Sequence, residues 1–433
     1  MSIKYVNSSR LVLLAVGILV YRSGFSAGFI IPESSVEGIA LSDAMVANPD
    51  SAGAFTYNYS SMMFADSHKA SFDLIGVSVD TSVSPLLPNL EKGKVDNQAS
   101  DAVLPSVYLN QKITDQYSWG LHVGVPFGLE MVWPADTFSR FLSVDTVVSA
   151  GGDIAGLHPL KSSLELFALS PSIGLKVNDQ FAIAFGLDYY NIIKVEFNTA
   201  GSQTSGDGSE AGWNVSALYK QNNWSAGVSY HSAVDIGLQG ASNITGMGVV
   251  TAKTELGLPD RLQIGAGYKL SDALYAEFDI ERIGWSQYDQ TVLQATGGVL
   301  PPGTVYSVTS NYWSDVTNYR VGIIYQLNDS SQLLLGAGYE EGAQKDAYFD
   351  ATTADADRYM LSIGFVHKID KLWLFKAAYQ YAGIDDRTVN GQSYLNQIIS
   401  SGGLDTDANG TDAYNGQYEG HIQMLSLGVS RSF

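Results

Sequence analysis

Residues 117–133 read YSWGLHVGVPFGLEMVW. Their odd positions, Trp119, Leu121, Val123, Val125, Phe127, Leu129, Met131 and Trp133, are all apolar, while the even ones include Gly120, His122, Gly124, Pro126, Gly128 and Glu130. Alternation this long predicts a strand with one oily face. An ordinary soluble strand stops near ~5–6 residues, whereas a strand crossing a bilayer at a tilt and continuing beyond it needs this length. A tryptophan at each end of the oily row fits an aromatic girdle. Pro126 breaks the rule. It cannot donate to a β-ladder, and with Gly124 and Gly128 beside it, it marks a place where pairing stops and the wall can open.

Working outward, the chain has 433 residues, no cysteine, 45% hydrophobic and 16% charged residues, 44 glycines and 25 tyrosines. No linker or shift in composition divides it, so one large domain is expected. A formal charge of -20 without a basic run argues against nucleic acid as a partner. Lys4 and Arg10, the apolar run Leu11 to Val20, and small residues at Gly24 and Ser26 predict a secretory signal peptide over residues 1–26. No segment supplies the ~20 apolar residues of a membrane helix. A membrane protein without such helices must be a closed barrel, because lipid offers its backbone no other partners.

Residues 27–66 mix small, polar and apolar positions without a period of two, and are expected to fold back into the lumen as a hatch. From residue 67 to 433 alternating segments recur. Strands are expected at roughly 69–83, 101–113, 117–132, 161–177, 180–198, 211–220, 223–238, 249–269, 273–295, 310–327, 331–344, 355–369, 371–387 and 417–433. Six tight polar turns, such as Asn178–Asp179 and Ser271–Asp272, alternate with seven long connections. Those include Pro134 to Leu160, Gly297 to Thr309 and Asn390 to Gly416. Fourteen antiparallel strands with turns on one side and loops on the other make a transmembrane β-barrel of the Gram-negative outer membrane.

Dyads assign the faces. Leu262, Ile264, Ala266, Tyr268 and Leu270 would meet lipid, as would Leu274, Ala276, Phe278 and Ile280; Glu277, Asp279 and Glu281 would point inward with Arg320 and Arg358 as an ion-pair network. The last strand, with Leu425, Leu427, Val429 and Phe433 on one face, is a usual closing strand. The loop from 134 to 160 is unusually apolar for a water-facing segment. Its Phe138, Phe141, Leu142, Val144, Val147, Val148 and Leu157 are candidates for capturing a hydrophobic small molecule, or for packing on a neighbouring loop. Inward parity on the fifth strand gives Asp188, Tyr190, Ile192, Lys194 and Glu196, of which Tyr190, Ile192 and Lys194 are candidates for the ligand path.

These residues resemble the FadL-type family of outer-membrane transporters for long-chain fatty acids and other hydrophobic compounds. The resemblance runs through AGF at Ala27 to Phe29, SDAMVANPDSAGAF after it, residues 117–131, ELGLPDRLQIGAGYKLSDALYAEFDIERIGWSQYD at 255–289, YRVGIIYQLNDS at 319–330, DADRYMLSIGF at 355–365 and the final strand. It implies a monomeric fourteen-stranded barrel in outer-membrane lipid, plugged by a hatch beginning Ala27, Gly28, Phe29. It also implies a kinked third strand opening sideways at Pro126, Phe127 and Gly128. Where the family hatch commonly carries Asn-Pro-Ala, this chain has Asn58, Tyr59 and Ser60, which bears on how the hatch moves.

Removing Lys4, Arg10 and Arg22 leaves 21 basic residues against 44 acids. Burying an unpaired carboxylate in such a lumen is costly, so neutral or aromatic hydrocarbons stand beside fatty acids as expected cargo. Asp405, Asp407 and Asn409 match half a calcium loop, but its twelfth position falls on Gly416, so no metal is expected. His231 points inward near Asp235 without a serine placed by any motif. Neither an enzyme nor a cofactor is expected. The rival is a general porin, which needs an open bore.

Overall fold

The computed structural model describes residues 28–65, 67–86, 93–135, 137–138, 159–199, 201–390 and 415–433. Its wall is one antiparallel sheet of fourteen strands. In chain order these are β1 (Lys69–Ser84), β2 (Ala102–Lys112), β3 (Tyr117–Gly124, resumed at Gly128–Val132), β4 (Pro159–Lys176), β5 (Phe181–Thr199), β6 (Ser202–Gln221) and β7 (Trp224–His231, resumed at Val234–Ile244). There follow β8 (Gly248–Leu258, resumed at Arg261–Ser271), β9 (Leu274–Ile283, resumed at Gln290–Gly298), β10 (Val305–Ser310, resumed at Val316–Asn328), β11 (Ser331–Glu340), β12 (Arg358–Lys368), β13 (Trp373–Val389) and β14 (Gly416–Ser432). The sheet closes on itself: β1 and β14 pair without a slip from Lys69↔Ser432 to Ser84↔Gln417. Closure leaves no sheet edge in lipid, where an unpaired amide has no partner.

The alternation of the sequence becomes the two faces of the wall. Ile264, Tyr268, Leu270, Phe278, Leu425 and Leu427 are exposed on the outside, while Asp279, Glu281, Arg320 and Lys376 are buried on the inside. Three of the seven expected long connections are short. β6 begins at Ser202, not near 211, and Gly297 to Thr309 is largely ladder, with Thr251↔Gly297 and Gln294↔Val305 paired. Above the bilayer both faces of a strand are wet, so Ser202 to Ala211 alternates nothing apolar and reads as loop although it is strand.

Residues 28–64 fill the lumen. The helix α1 (Val36–Ala40) starts at Ser35, whose Oγ accepts from the Gly38 N–H at 3.1 Å, and two 3-10 turns follow at Ala52–Thr56 and Tyr59–Phe64. A five-residue helix is not stable alone. The wall supplies what it lacks: Asp73 accepts from the Val36 N–H, Asp279 from the Met45 and Val46 N–H groups, and Glu277 from the Ala47 N–H. At Gly227 the hatch backbone presses so close that a Cβ would overlap the Val46 carbonyl. Lys376 on β13, fully buried, joins Asp73 of β1 at 2.8 Å and Glu37 of α1 at 3.0 Å.

Candidate functional site: the β3 break and the apolar cavity

β3 leaves the ladder after Gly124 and rejoins it at Gly128. On β4 the partners of these two residues are Ala168 and Glu165. Four steps on β3 therefore match three on β4. One surplus residue reverses which face an alternating row presents. Below the break Trp119, Leu121 and Val123 lie outward and half-buried; above it Phe127, Leu129, Met131 and Trp133 are buried in the interior core. The single lipid-facing row expected from 119 to 133 is thus split, and Trp133 is no girdle residue. It is 2% exposed, donates Nε1–H to the Ala351 carbonyl at 3.0 Å and packs on Phe138.

The backbone freed at the break is taken up by the hatch. Ile30 forms an isolated antiparallel bridge with Phe127, the Ile31 N–H donates to the Pro126 carbonyl at 2.8 Å, and the Gly128 N–H donates to the Phe29 carbonyl at 2.9 Å. Between β2 and β3 the ladder ends at Val107↔Val123; above it Ala102 to Ser106 pair only with β1. This gap in the wall is bounded below by Ser106 Oγ and His122 Nε2, 3.1 Å apart, and above by the Gln98 N–H on the Val132 carbonyl at 2.8 Å.

Phe29 stands directly behind the gap. Its ring meets Trp285 at 4.7 Å, Tyr288 at 5.3 Å, Trp313 at 6.0 Å and Phe127 at 6.1 Å between centroids. Gly28 makes this possible: its φ of +67° suits glycine, and a Cβ there would overlap the Trp285 and Trp313 rings. Its N–H donates to Asp355 Oδ1 at 3.2 Å. The sequence offered residues 255–289 only as a stretch that resembles the family; that Trp285 and Tyr288 within it would enclose Phe29 had no local signal.

Above Phe29 lies a cavity of about 150 Å³. Leu129, Leu164, Val195, Leu238, Leu256 and Leu293 give it an apolar lining, and its charged neighbours are Glu196, Lys253, Glu255 and Asp350. Leu129 belongs to the row that the β3 break turns inward. Val195 and Phe197 come to the lining through a second irregularity, between Ile192 and Val195 on β5, which corrects the expected parity. Tyr190 and Ile192 are buried as expected, Tyr190 against Phe127 at 5.9 Å. Lys194 is not in the lining; its side chain is 41% exposed and pairs with Glu196 at 2.7 Å, which Lys161 also holds at 2.5 Å. A larger recess of about 950 Å³ opens at the turn side among Lys69, Lys220, Lys269, Lys368 and Asp50. It is the barrel's polar inner mouth, below the hatch.

The remaining candidates fall as follows. Asn58 donates Nδ2–H to the carbonyls of Val46 at 2.7 Å and Ala217 at 3.0 Å, while its Oδ1 accepts from Ser60; the Ser60 N–H reaches Ser216 Oγ, and Tyr59 packs on Phe55. This triplet ties the hatch to β6. His231 faces Asp188 at 2.7 Å rather than Asp235, which points outward to Gln287. Ser170 donates to the same Asp188 carboxylate, so serine and histidine share an acid and do not form a nucleophile–base pair. Arg320 pairs with Glu281 and Glu340 at 2.7 Å each and with Asp43 of the hatch at 3.4 Å. Ala27, Phe141, Leu142, Val144, Val147, Val148, Leu157, Asp405, Asp407 and Asn409 lie outside the described residues, as do 1–26. Among the described residues no cluster of potential metal ligands occurs.

A family model described as outer membrane protein transport protein (OMPP1/FadL/TodX) matches residues 17–433. Among solved structures, a FadL homologue from Pseudomonas aeruginosa is 17% identical with a TM-score of 0.76, covering 94% of this chain and 100% of its own. The toluene transporter TbuX of Ralstonia pickettii is 13% identical with a TM-score of 0.64, covering 94% and 99%. The toluene transporter TodX of P. putida is 13% identical with a TM-score of 0.60, covering 95% and 99%. No curated protein sequence matches the chain.

Proposed function

The chain belongs to the outer membrane transport family of FadL and TodX, barrels that carry hydrophobic compounds and are not enzymes, and from that premise we propose that its cargo is a neutral, ring-sized hydrocarbon released sideways through the β3 gap. The single observation that carries this reading is the inward turn of Phe127 to Trp133. It joins the cavity lining to the gap by one apolar surface, with Phe29 between them. The size suits a single ring, since an apolar cavity near ~150 Å³ holds one benzene. The charge argues against a carboxylate: three acids and one lysine border the cavity, and an unpaired buried anion is costly. Two structurally similar proteins being toluene transporters is in keeping with this.

No energy source is needed. Burial contributes about 0.8 kcal/mol per CH2-sized group, and leaving through the wall returns the molecule to an oily phase. Movement of Phe29 off Phe127, with loss of the two hatch bonds to Pro126 and Gly128, would open the path. Capture by the 134–160 loop fits upstream of this, with Phe138 at its anchored end. The test is uptake of radiolabelled toluene and palmitate by cells in which this protein is the only such channel. Toluene uptake is expected to depend on the protein and to drop when Leu129→Trp fills the cavity. Uptake of palmitate alone, or indifference to Leu129→Trp, overturns the reading.

A further inference from the structure

The wall has a second interruption, on the side away from β3. β8 and β9 pair from Arg261↔Ile283 down to Ser271↔Leu274 and again at their tips from Lys253↔Gln294 to Val250↔Gly298. Between these runs the Gly284 N–H still donates to the Asp260 carbonyl at 2.9 Å and Gln287 lies against Gly257, so the strands stand apart from Thr254 to Leu256 on β8 and from Gln290 to Leu293 on β9. Thr254 to Leu258 bond only to β7, and Gln290 to Leu293 only to β10. A strip of free strand edge inside a closed barrel is unusual, since closure exists to remove edges.

Its height is fixed by the residues below it. Leu274–Ile283 has ten residues, the length of one tilted membrane crossing of about 9–11, so the slit begins at the outer surface of the bilayer. Its sill is polar: Arg282 pairs with Asp315 at 2.5 Å and Asp260 at 3.9 Å. Its outer lips are Glu255 on β8 and, on β9, Val292, which is 37% exposed and opposite the 51% exposed Val308. Behind it lies the cavity already described. Consecutive residues Thr254, Glu255 and Leu256 line that cavity from one lip, Thr291 and Leu293 from the other. Residues of both lips thus border the cavity, which lies directly behind the slit.

We propose that this slit is a side entrance, through which a small uncharged aromatic hydrocarbon adsorbed at the membrane's outer surface passes between Glu255 and Val292 into the cavity without crossing the loop crown. The inference rests on the reading of the cavity given above. Valines on the outer lip hold an apolar molecule at the opening, and the Glu255 carboxylate repels anions, so the entrance selects for the same neutral class as the cavity. A molecule then enters the barrel through one side of its wall and leaves through the other.

The chain has no cysteine, so a single introduced thiol can be labelled alone. Glu255→Cys and, separately, Val292→Cys are labelled on intact cells with a bulky, membrane-impermeant methanethiosulfonate, and the initial rate of radiolabelled toluene uptake is compared before and after. Thr388→Cys on β13 is the control. Labelling either lip is expected to lower the rate to that of Leu129→Trp, reduction with dithiothreitol to restore it, and labelling at 388 to change nothing. If labelled lip variants, with the adduct confirmed by mass, take up toluene at the unlabelled rate while Leu129→Trp still blocks, the side entrance is overturned and the cavity is loaded from above. If Leu129→Trp does not block, the cavity reading fails and the entrance with it.

Discussion

Pro126 acts less through its missing N–H than through the extra residue the chain carries beside it. The carbonyl of Pro126 is already engaged by Ile31, and restoring an N–H at 126 leaves the count of four steps against three unchanged. Pro126→Ala is therefore expected to keep Phe127 to Trp133 inside and to lower uptake only modestly. Deleting Val125 removes the surplus, so that three steps on β3 match three on β4, the ladder can run straight through, and Phe127 to Trp133 keep their inward face. Toluene uptake should then fall as the break heals, while brominated lipids leave Trp133 unquenched as in the parent; quenching of Trp133 in the deletion would show that its inward face is held by something other than register. At Asp43 the relevant variable is pH. Burial pushes its carboxyl from the ordinary 3.8 up to about 6, while Arg320 and the hydrogen bond from Tyr57 pull it down. The folded chain thus holds this proton more tightly than the unfolded one. The stability it contributes is fully present below the unfolded value and is lost as pH rises through about 6, a change on the order of 3 kcal/mol. Asp43→Asn should flatten that part of the stability-against-pH curve in guanidinium titrations between those values; a curve parallel to the parent's refutes the assignment.

At the scale of the element, the hatch is held by charges that its own sequence could not provide. Lys376 sits between α1, β1 and β2, on Glu37, Asp73 and the Tyr108 hydroxyl. Removing one partner of a buried ionic group strands the others, at about 3–5 kcal/mol. Lys376→Met should lose that much in chemical unfolding, and adding Asp73→Asn should recover part of it; a double variant worse than the single contradicts the pairing. Whether such elements can be read in advance depends on what alternates. Wherever lipid meets one face, as at Ile264 and Tyr268, strand and face were legible. The upper part of β6 was not, because Ser202 to Ala211 is polar on both sides. The reversal on β3 was not, because the odd positions stay apolar straight through it and only the partner strand reveals the surplus. Pro259 carried the same signal as Pro126, and β8 breaks beside it; the expected continuous strand from 249 to 269 overlooked it. The lumen charges were legible as inward, yet Glu277 and Asp279 turn to hatch amides rather than arginines, a pairing across more than 200 residues that no local pattern encodes.

For the whole molecule, the wall and its contents are separable in physical terms. The ladder of fourteen strands satisfies its own backbone and closes on β1 and β14, so the barrel does not need the hatch to survive in lipid. The hatch needs the barrel, since its short turns are buried against the wall on every side. A chain lacking residues 28–64 is expected to insert as a folded barrel, recognised by heat-dependent migration in a detergent gel. Its lumen would then fill with water around Asp73, Glu277, Asp279, Arg320 and Lys376, whose pairing with hatch groups is gone. Planar-bilayer recordings should show steady ion conductance for this variant and none for the full chain. The two routes differ in what they ask of the hatch: sideways passage needs only Phe29 and the hatch bonds to Pro126 and Gly128 to move, whereas axial passage of ions needs the whole plug out of the bore. Conductance from the full chain, comparable with that of the truncated one, would mean that the hatch does not seal the lumen, and the general porin would return as the better account.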